Sequence, residues 1–304
     1  MKSSSNDEPM SSDVFKARPA QTRPEGIAIA LHGGLGAEIG TIDLRQPISQ
    51  SLREEIVAAF ARHHLLVFRG QQLGKHRMGD VAAMFGEVEG NVFHNPDGST
   101  LEAIHQISNL DAAGRPAENP YLKSNYFWHS DKAYLPVPAL LTMLHAVELP
   151  PSGGDTQFAD MIRAYASLSD EVKRQISTLR AVHSLEYMRA STDDRPLTDE
   201  EKKAAPPVVH PLVRTHPVTG EQSLFIGMYC SHIVGMDSTA SRMLLDRLLA
   251  HSTQGQYVYT HRWGPGDLVI WDNRCLLHRA VANYDMAANR RVLLRLVVKG
   301  SVAP

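Results

Sequence analysis

Two short blocks far apart in the chain carry side chains that could bind a metal ion together. One is the Trp-His-Ser-Asp run at residues 128–131, and the other, residues 271–278, ends at His278. Two imidazoles and one carboxylate on one face of an iron(II) ion leave the opposite three coordination positions open. Because side chains two residues apart lie on the same side of extended chain, His129 and Asp131 can reach one ion, and His278 could join them from a neighbouring strand. A His-x-Asp pair also arises by chance in a chain with 15 histidines.

The segments around these blocks indicate short strands with a few helices. Apolar residues at helical spacing predict helices at 51–62, 74–85 and 237–251, the last capped by Asp237 or Ser238. Turn residues at 216–221 predict a hairpin. Alternating or β-branched runs predict strands at 65–68, 101–107, 139–148, 156–159, 179–185, 208–214, 257–263, 268–271 and 291–298. This order favours a mainly β fold, a double-stranded β-helix (a cupin-like jelly roll) buttressed by α-helices.

The composition excludes several classes of partner. Of the 304 residues, 43% are hydrophobic and 21% are charged, and the formal net charge of −2 argues against a nucleic-acid or acidic-membrane partner. Two cysteines are too few for a disulfide framework, and no apolar run has the length of a signal peptide or a membrane span. We predict a cytoplasmic protein with a flexible tail at 1–25 and a single domain at 26–304.

Five ordered blocks give the chain a specific family resemblance. They are Leu-Val-Phe-Arg-Gly-Gln at 66–71, Trp-His-Ser-Asp at 128–131, Pro-Pro-Ser-Gly-Gly-Asp-Thr at 150–156, Val-Arg-Thr-His at 213–216 and Gly-Asp-Leu-Val-Ile-Trp-Asp-Asn-Arg at 266–274. Over about residues 27–298 the chain resembles the taurine dioxygenase and 2,4-dichlorophenoxyacetate dioxygenase family of iron(II)- and 2-oxoglutarate-dependent oxygenases. The resemblance implies that His129, Asp131 and His278 are the iron(II) ligands of the catalytic centre, which consumes 2-oxoglutarate and O2. Related halogenases replace the carboxylate ligand with a small residue, so Asp131 argues against halogenation.

The resemblance also implies an arginine, shortly after the distal histidine, that binds the 5-carboxylate of 2-oxoglutarate. Arginine suits this task because its planar, permanently charged fork matches a carboxylate. The candidates are Arg290, Arg291 and Arg295. On the strand predicted at 291–298, even-numbered residues share one face, which leaves Arg291 and Arg295 on the other. We assign Arg291, assisted by the Thr156 hydroxyl, to 2-oxoglutarate, and Arg295 to the acidic group of the primary substrate.

Two alternatives to this arginine assignment stay open. The spacing from His278 to Arg291 is longer than in the family pattern, which a longer loop at 282–289 can absorb, so Arg290 competes with Arg291. If the strand lies at an edge of the sheet, its arginines are in water, which is the commoner environment of arginine.

Four further polar residues are weaker candidates for the site. Asn125, four residues before His129, matches a family position close to the metal and could bind cosubstrate, although asparagine is also a common turn residue. His94, Tyr229 and His232 are candidates for the substrate pocket. Tyr229 stands where the phenoxyacetate enzymes have histidine, which leaves the substrate open. A structural, hydrogen-bonded role is an equal alternative for each.

The resemblance favours a small acidic organic substrate, foremost an aryloxyalkanoate-type carboxylate. Hydroxylation next to its ether oxygen would cleave it and would yield succinate and CO2 from 2-oxoglutarate. The alternatives are a sulfonate, an alkyl sulfate or an acidic natural-product intermediate. Two other classes compete: a jelly-roll binding protein without turnover, and a zinc hydrolase that uses the same three ligands. Relatives commonly pair, so a homo-oligomer, either a dimer or a tetramer, is expected.

Overall fold

The computed structural model describes residues 27–31, 33–40, 42–90, 102–111, 113–117 and 123–304, so the predicted tail at 1–25 lies outside the described residues. The described strands are β1 (Ala28–Ala30), β2 (Ala37–Ile39), β3 (Leu65–Phe68), β4 (His105–Ser108), β5 (Leu141–Glu148), β6 (Thr156–Asp160), β7 (Arg180–His183), β8 (Val208–Pro211), β9 (Val213–Thr215), β10 (Gln222–Leu224), β11 (Cys230–Ile233), β12 (Val258–His261), β13 (Leu268–Asp272), β14 (Leu276–Ala280) and β15 (Val292–Val298). The described helices are α1 (Gln50–His63), α2 (Lys75–Ala82), α3 (Met161–Ala166), α4 (Asp170–Ile176), α5 (Leu185–Ser191), α6 (Asp199–Ala204) and α7 (Ser238–Ser252).

The strands form two layers with an apolar interior. Among the described strands, the larger sheet has the order β1-β2-β3-β13-β5-β15-β4, and the smaller sheets are β12-β6-β14, β11-β7-β8 and the pair β10-β9. Strands β2 and β3 pair in parallel, whereas the strands that carry the site pair antiparallel. The large sheet packs against β6 and β14 through one apolar cluster. This is the double-stranded β-helix that the sequence predicts.

Alternation along the large sheet sends neighbouring side chains into two different apolar layers. In β3, Leu65 and Val67 pack in the inner layer with Phe158 of β6, whereas Leu66 and Phe68 pack in the outer layer with residues of α1 and α2. All four β3 side chains are buried because both faces of the strand are covered.

Strand β15 lies between β5 and β4, inside the large sheet. Its residue Leu293 packs in the inner layer, and Leu296 packs in the outer layer. Arg295 lies two residues from Leu293, and its side chain is 15% exposed. The alternative of an edge strand with its arginines in water is therefore wrong.

The two long predicted helices are confirmed, and their caps explain their limits. The Ser49 side chain accepts a hydrogen bond from Leu52 N at the start of α1, and His64 ends the helix with φ 59°. Asp237 caps α7 by accepting from the amides of the first turn. Each cap gives a partner to backbone N–H groups that have none within the helix.

Three predicted strands differ most from the structure. The strand at 208–214 is divided into β8 and β9, which belong to different sheets. The strand at 179–185 ends at His183, because the Ser184 hydroxyl caps α5 and starts a helix there. The strand at 101–107 begins only at His105, as β4. No described helix combines the length and the apolar character needed to cross a membrane.

Candidate active site

The backbone brings the two histidines of the predicted metal triad side by side. His129 N donates to His278 O at 3.1 Å and His278 N donates to His129 O at 2.8 Å, which forms an isolated antiparallel bridge between the 128–131 block and β14. Asp131 Oδ1 lies 3.9 Å from His129 Nε2, and Oδ2 lies 3.7 Å from His278 Nε2. One ligand atom from each of the three residues lies within 4.8 Å of the other two. The spacing of these buried groups is that of a shared metal site.

The protonation states in this group are those that bind a divalent cation. His129 Nδ1 donates to Phe127 O at 2.7 Å, so its Nε2 carries the lone pair that faces Asp131. Burial lowers the pKa of both histidines, and their mutual proximity lowers that of His278 further. Burial raises the pKa of Asp131, but the Arg295 guanidinium, the two neighbouring histidines and the Thr142 hydroxyl together hold this pKa below its usual value. Two neutral imidazoles and one carboxylate result.

Asp131 is held in place by Arg295 and by two residues that the sequence analysis did not single out, Thr142 and Asn273. The Thr142 hydroxyl donates to Asp131 Oδ2 at 2.5 Å, and Arg295 Nη2 lies 2.7 Å from Oδ1. Asn273 accepts from Asp131 N at 3.2 Å and donates to Thr142 Oγ1 at 2.9 Å. A signal was present in each case, because Thr142 interrupts an apolar strand and Asn273 lies in a block that carries the resemblance. Partners of this kind fix the orientation of a ligand.

The two neighbouring arginines before β15 have opposite environments. The Arg290 side chain is 43% exposed, and its Nε lies 2.7 Å from Glu148 Oε1. Arg291 is 9% exposed, and its Nε donates to Gly154 O at 2.9 Å. It forms no ion pair with a carboxylate in the described part of the chain. Burial lowers the pKa of Arg291. A buried guanidinium without an anion suits a carboxylate ligand.

The remaining predicted residues lie at different distances from this centre. Thr156 is buried two residues after Gly154, and its Oγ1 accepts from Trp263 Nε1 at 3.1 Å, so the hydroxyl can still donate. Asn125 is half-buried on the 3-10 turn Lys123–Tyr126, which packs against β14.

The predicted substrate-pocket residues are separated by the fold. The ring of Tyr229 lies 6.5 Å from that of His129 and 5.0 Å from that of Tyr134. His232 is exposed on β11, where its Nδ1 contacts the Ser231 hydroxyl, and it is not brought into the metal group. His94 lies outside the described residues.

Known proteins place this arrangement in a family. The model of the "Taurine catabolism dioxygenase TauD, TfdA family" matches residues 28–297. The chain belongs to this family. It is 39% identical over 274 residues to an alpha-ketoglutarate-dependent 2,4-dichlorophenoxyacetate dioxygenase of Cupriavidus pinatubonensis, covering 88% of this chain and 95% of that protein. It is 36% identical over 248 residues to an (S)-phenoxypropionate/alpha-ketoglutarate-dioxygenase of Sphingobium herbicidovorans, covering 78% and 82%.

A solved TauD/TfdA-type structure has the same fold and shows what such a site accepts. The crystal structure of AAD-2 in complex with Mn(II) and N-oxalylglycine, an analogue of 2-oxoglutarate, superposes with a TM-score of 0.81 at 35% identity. The superposition covers 91% of this chain and 97% of that one. The present chain is thus an iron(II)- and 2-oxoglutarate-dependent dioxygenase. The neutral histidines, the Asp131 carboxylate and the buried Arg291 of this structure fit that pair of cofactors.

Gly154→Ala is expected to weaken 2-oxoglutarate binding by moving Arg291. Gly154 has φ +69°, and an added Cβ would lie 2.9 Å from Arg291 Cδ and Nε. We expect the KM for 2-oxoglutarate to rise about tenfold or more, the effect of losing one charged hydrogen bond. Gly220→Ala is the matched control, because Gly220 has φ +75° with open space around it. Both variants carry similar backbone strain, so an equal rise in KM would contradict the contact with Arg291.

A second group of potential metal ligands lies behind the centre. His64, His216, Asp272 and Cys275 are buried, with ligand atoms within 4.8 Å of one another. However, His216 Nδ1 accepts from Thr219 N at 3.1 Å, so His216 Nε2 is protonated and donates to Asp272 Oδ2 at 3.0 Å. A protonated nitrogen has no lone pair for a metal.

The Asp272 carboxylate also accepts hydrogen bonds from a charged neighbour. Arg274 Nε and Nη2 donate to the Asp272 carboxylate at 2.8 and 2.6 Å. Burial would raise the pKa of Asp272, but the Arg274 charge holds it well below the usual value. We interpret the group as a buried ion pair that supports the end of β13, next to Asn273.

Removing the carboxylate of this buried ion pair is expected to destabilise the protein strongly. Asp272→Ala removes the carboxylate that accepts two hydrogen bonds from the buried Arg274 guanidinium, and we expect a loss of about 3–5 kcal/mol in the free energy of unfolding. Denaturant unfolding measures this value. The control is Glu148→Ala, which breaks the exposed pair with Arg290 and should cost less than about 1 kcal/mol. Equal losses in the two variants would contradict a supporting role for the buried pair.

Proposed function

We propose that this enzyme hydroxylates an aryloxyalkanoate-type carboxylate at the carbon next to its ether oxygen. In this proposal His129, Asp131 and His278 hold iron(II), and Arg291 with Thr156 binds the 5-carboxylate of 2-oxoglutarate, with Asn125 close by. The observation that carries the proposal is the position of the buried triad, which contacts Arg295 through Asp131 and lies next to an apolar cluster that includes Tyr229. That cluster contains Leu185, Met188, Leu197, Tyr134, Phe225 and Tyr229.

The chain's own residues account for binding and orientation. Iron(II), when bound with 2-oxoglutarate and O2, supplies the oxidation that turns a C–H into a C–OH and 2-oxoglutarate into succinate and CO2. The Asp131 carboxylate is fixed by Arg295 and Thr142, which keeps one face of the site rigid. Trp271 lies 4.5 Å from the His278 ring, between centroids, and helps to keep water from that side.

Arg295 is proposed to bind the substrate's acidic group as well as Asp131. Its Nη2 forms an ion pair with one carboxylate oxygen of Asp131, and the other N–H groups of the guanidinium can donate to a second anion. An acid held there would place its neighbouring carbon beside the metal ligands. The apolar ring of the substrate would then lie along Tyr229, which is edge-on to His129. Hydroxylation at a carbon that bears an ether oxygen gives a hemiacetal, which breaks into a phenol and a carbonyl compound.

A succinate-release screen tests the proposal. The iron-loaded enzyme, 2-oxoglutarate and O2 are combined with phenoxyacetate, 2,4-dichlorophenoxyacetate, hexyl sulfate or a simple alkanesulfonate. The proposal predicts succinate and a phenol from the first two substrates at higher kcat/KM than from the others. A clear preference for the sulfate or the sulfonate would replace the aryloxyalkanoate assignment with that class.

Arg295→Ala separates the two proposed roles of this arginine. Loss of acid binding raises the substrate KM, whereas loss of support for Asp131 lowers the iron content and the slow, substrate-independent turnover of 2-oxoglutarate. An unchanged substrate KM would remove the acid-binding role.

The predictions of a dimer or tetramer, of a cytoplasmic location and of no nucleic-acid or membrane partner stay predictions. Light scattering tests the oligomeric state.

A further inference from the structure

Arg189, on helix α5, is a buried cation, and the described residues provide no hydrogen-bond partner for two of its three guanidinium nitrogens. The residue is 9% exposed, and its Nε and Nη1 atoms are buried without a hydrogen-bond partner in the described part of the chain. No described carboxylate forms an ion pair with it either. Arginine stays charged when buried, and a buried charge without a counter-ion is strongly unfavourable. Its environment therefore favours an anion from outside the chain.

The tyrosines beside the metal triad connect Arg189 to the substrate region. Met188, the preceding residue, packs in one apolar cluster with Tyr134 and Tyr229. The Tyr229 ring in turn lies 6.5 Å from that of His129. Burial raises the pKa of both phenols, whereas the charges of Arg295 and Arg189 oppose that rise. Two guanidiniums thus lie close to the same pair of tyrosines, and of the two only Arg295 contacts a metal-ligand candidate among the described residues.

The backbone of this segment is fixed relative to the site. Asp194 N donates to Arg189 O at 3.1 Å. The Asp194 carboxylate accepts from Lys123 N at 2.8 Å and from Ser124 N at 3.1 Å. These amides belong to the 3-10 turn that carries Asn125 and leads to His129. The backbone of Arg189 is therefore linked through Asp194 to the turn that precedes His129 in the chain.

Three other cations, each close in the chain to a triad residue or to Arg189 or in contact with the triad, already have carboxylate partners. Arg295 pairs with Asp131 at 2.7 Å, and Lys132 Nζ pairs with Glu89 at 2.9 Å. The next arginine along the chain, at position 195, pairs with Glu201 at 2.6 Å. Among these four cations, Arg189 is the one that has no carboxylate within ion-pair distance in the described residues. Its charge reaches the Glu201 carboxylate only at longer range, and Arg195 already pairs with that carboxylate.

We propose that Arg189 binds an anionic group at the end of the substrate remote from the oxidised carbon. This inference rests on the proposed function, in which Arg295 binds the acid beside that carbon. The preferred substrates are then aryloxyalkanoates with a second acidic group on the ring, so that each end of the molecule meets one guanidinium. A substrate with a single acid leaves the Arg189 charge uncompensated.

Calorimetric binding without O2 tests this inference. Enzyme loaded with iron(II) and 2-oxoglutarate is titrated with phenoxyacetate and with 4-carboxyphenoxyacetate. We expect wild type to bind the second compound about tenfold more tightly or better, as one charged hydrogen bond would give. Arg189→Met should abolish that preference while changing the phenoxyacetate affinity less than about threefold. Arg189→Lys, which keeps a cation, should retain part of the preference, and the exposed Arg174→Met should match wild type.

The outcomes separate this inference from the proposed function. If wild type forms succinate with phenoxyacetate but shows no preference for the second acid, or if Arg189→Met keeps the preference, Arg189 has no such role and the proposed function stands. If wild type neither binds nor oxidises phenoxyacetate, the aryloxyalkanoate assignment fails and takes this inference with it. Thermal unfolding of each variant identifies a loss of binding that comes from misfolding, and Arg189→Lys then decides the role.

Discussion

His278→Ala is expected to abolish stoichiometric iron(II) binding and to lower succinate formation at least about a thousandfold. The variant removes one of the three proposed ligands and leaves Asp131 paired with Arg295 but with a single imidazole beside it. Because the metal supplies several kcal/mol of barrier lowering, and each 1.36 kcal/mol is a factor of ten in rate, losing the metal costs at least this much. Metal analysis and a succinate assay measure the two effects separately.

His76→Ala is the control for histidine replacement, because its side chain is 95% exposed and lies on α2. It should keep wild-type iron content and activity. Thermal unfolding of both variants shows whether His278→Ala remains folded, which is expected since the backbone bridge to His129 does not use the side chain. Stoichiometric iron in folded His278→Ala, with activity retained, would show that another residue is the third ligand.

Arg291→Ala is expected to raise the KM for 2-oxoglutarate by about a hundredfold, while Arg290→Ala changes it less than about threefold. Truncating one partner of a buried, hydrogen-bonded charge pair costs about 2–5 kcal/mol, which corresponds to a factor of thirty or more in affinity. Arg290 is exposed and paired with Glu148, so its loss is screened by water. The two variants differ by one position and carry the same change in charge.

A shortened cosubstrate shows whether Arg291 binds the distant carboxylate. 2-Oxobutyrate keeps the 2-oxo acid but lacks the second carboxylate. Wild type should prefer 2-oxoglutarate strongly, and Arg291→Ala should lose most of that preference. If Arg290→Ala shows the larger loss, the assignment of the two arginines must be exchanged. If neither variant shows a loss, the 5-carboxylate is bound elsewhere.

The segments that carry the proposed ligands and arginines were predictable from the sequence, because their side-chain directions follow from the geometry of extended chain. The two-residue spacing of His129 and Asp131 and the alternation of β15 are properties of extended chain, and both hold in the structure. Alternation does not explain the opposite environments of Arg290 and Arg291, because both precede β15 and its pairing register shifts between Val292 and Leu293. The sequence left the choice between these two arginines open. The role of each arginine stays a prediction, because geometry alone does not show what the guanidinium binds.

Contacts between distant segments explain what the sequence did not reveal. Arg295 was expected to face only the substrate, but the fold brings it to Asp131, 164 residues earlier in the chain. The bridge between His129 and His278 likewise depends on the packing of β14 against the distant 128–131 segment. The four helices α3 to α6 were not predicted, although the Thr198-Asp-Glu-Glu201 run is a capping box that marks the start of α6. No sequence pattern predicted the burial of Arg189, because helix α5 packs through Leu185 and Met188 against segments that are distant in the sequence.

A crystal structure of this protein with Mn(II) and N-oxalylglycine shows whether the triad binds the metal and whether Arg291 binds the cosubstrate. We predict one anomalous metal peak bonded to His129, Asp131 and His278, with the chelating end of the inhibitor on the open side and its far carboxylate on Arg291. A metal bound instead among His64, His216 and Asp272, or a far carboxylate that contacts another cation, would contradict it.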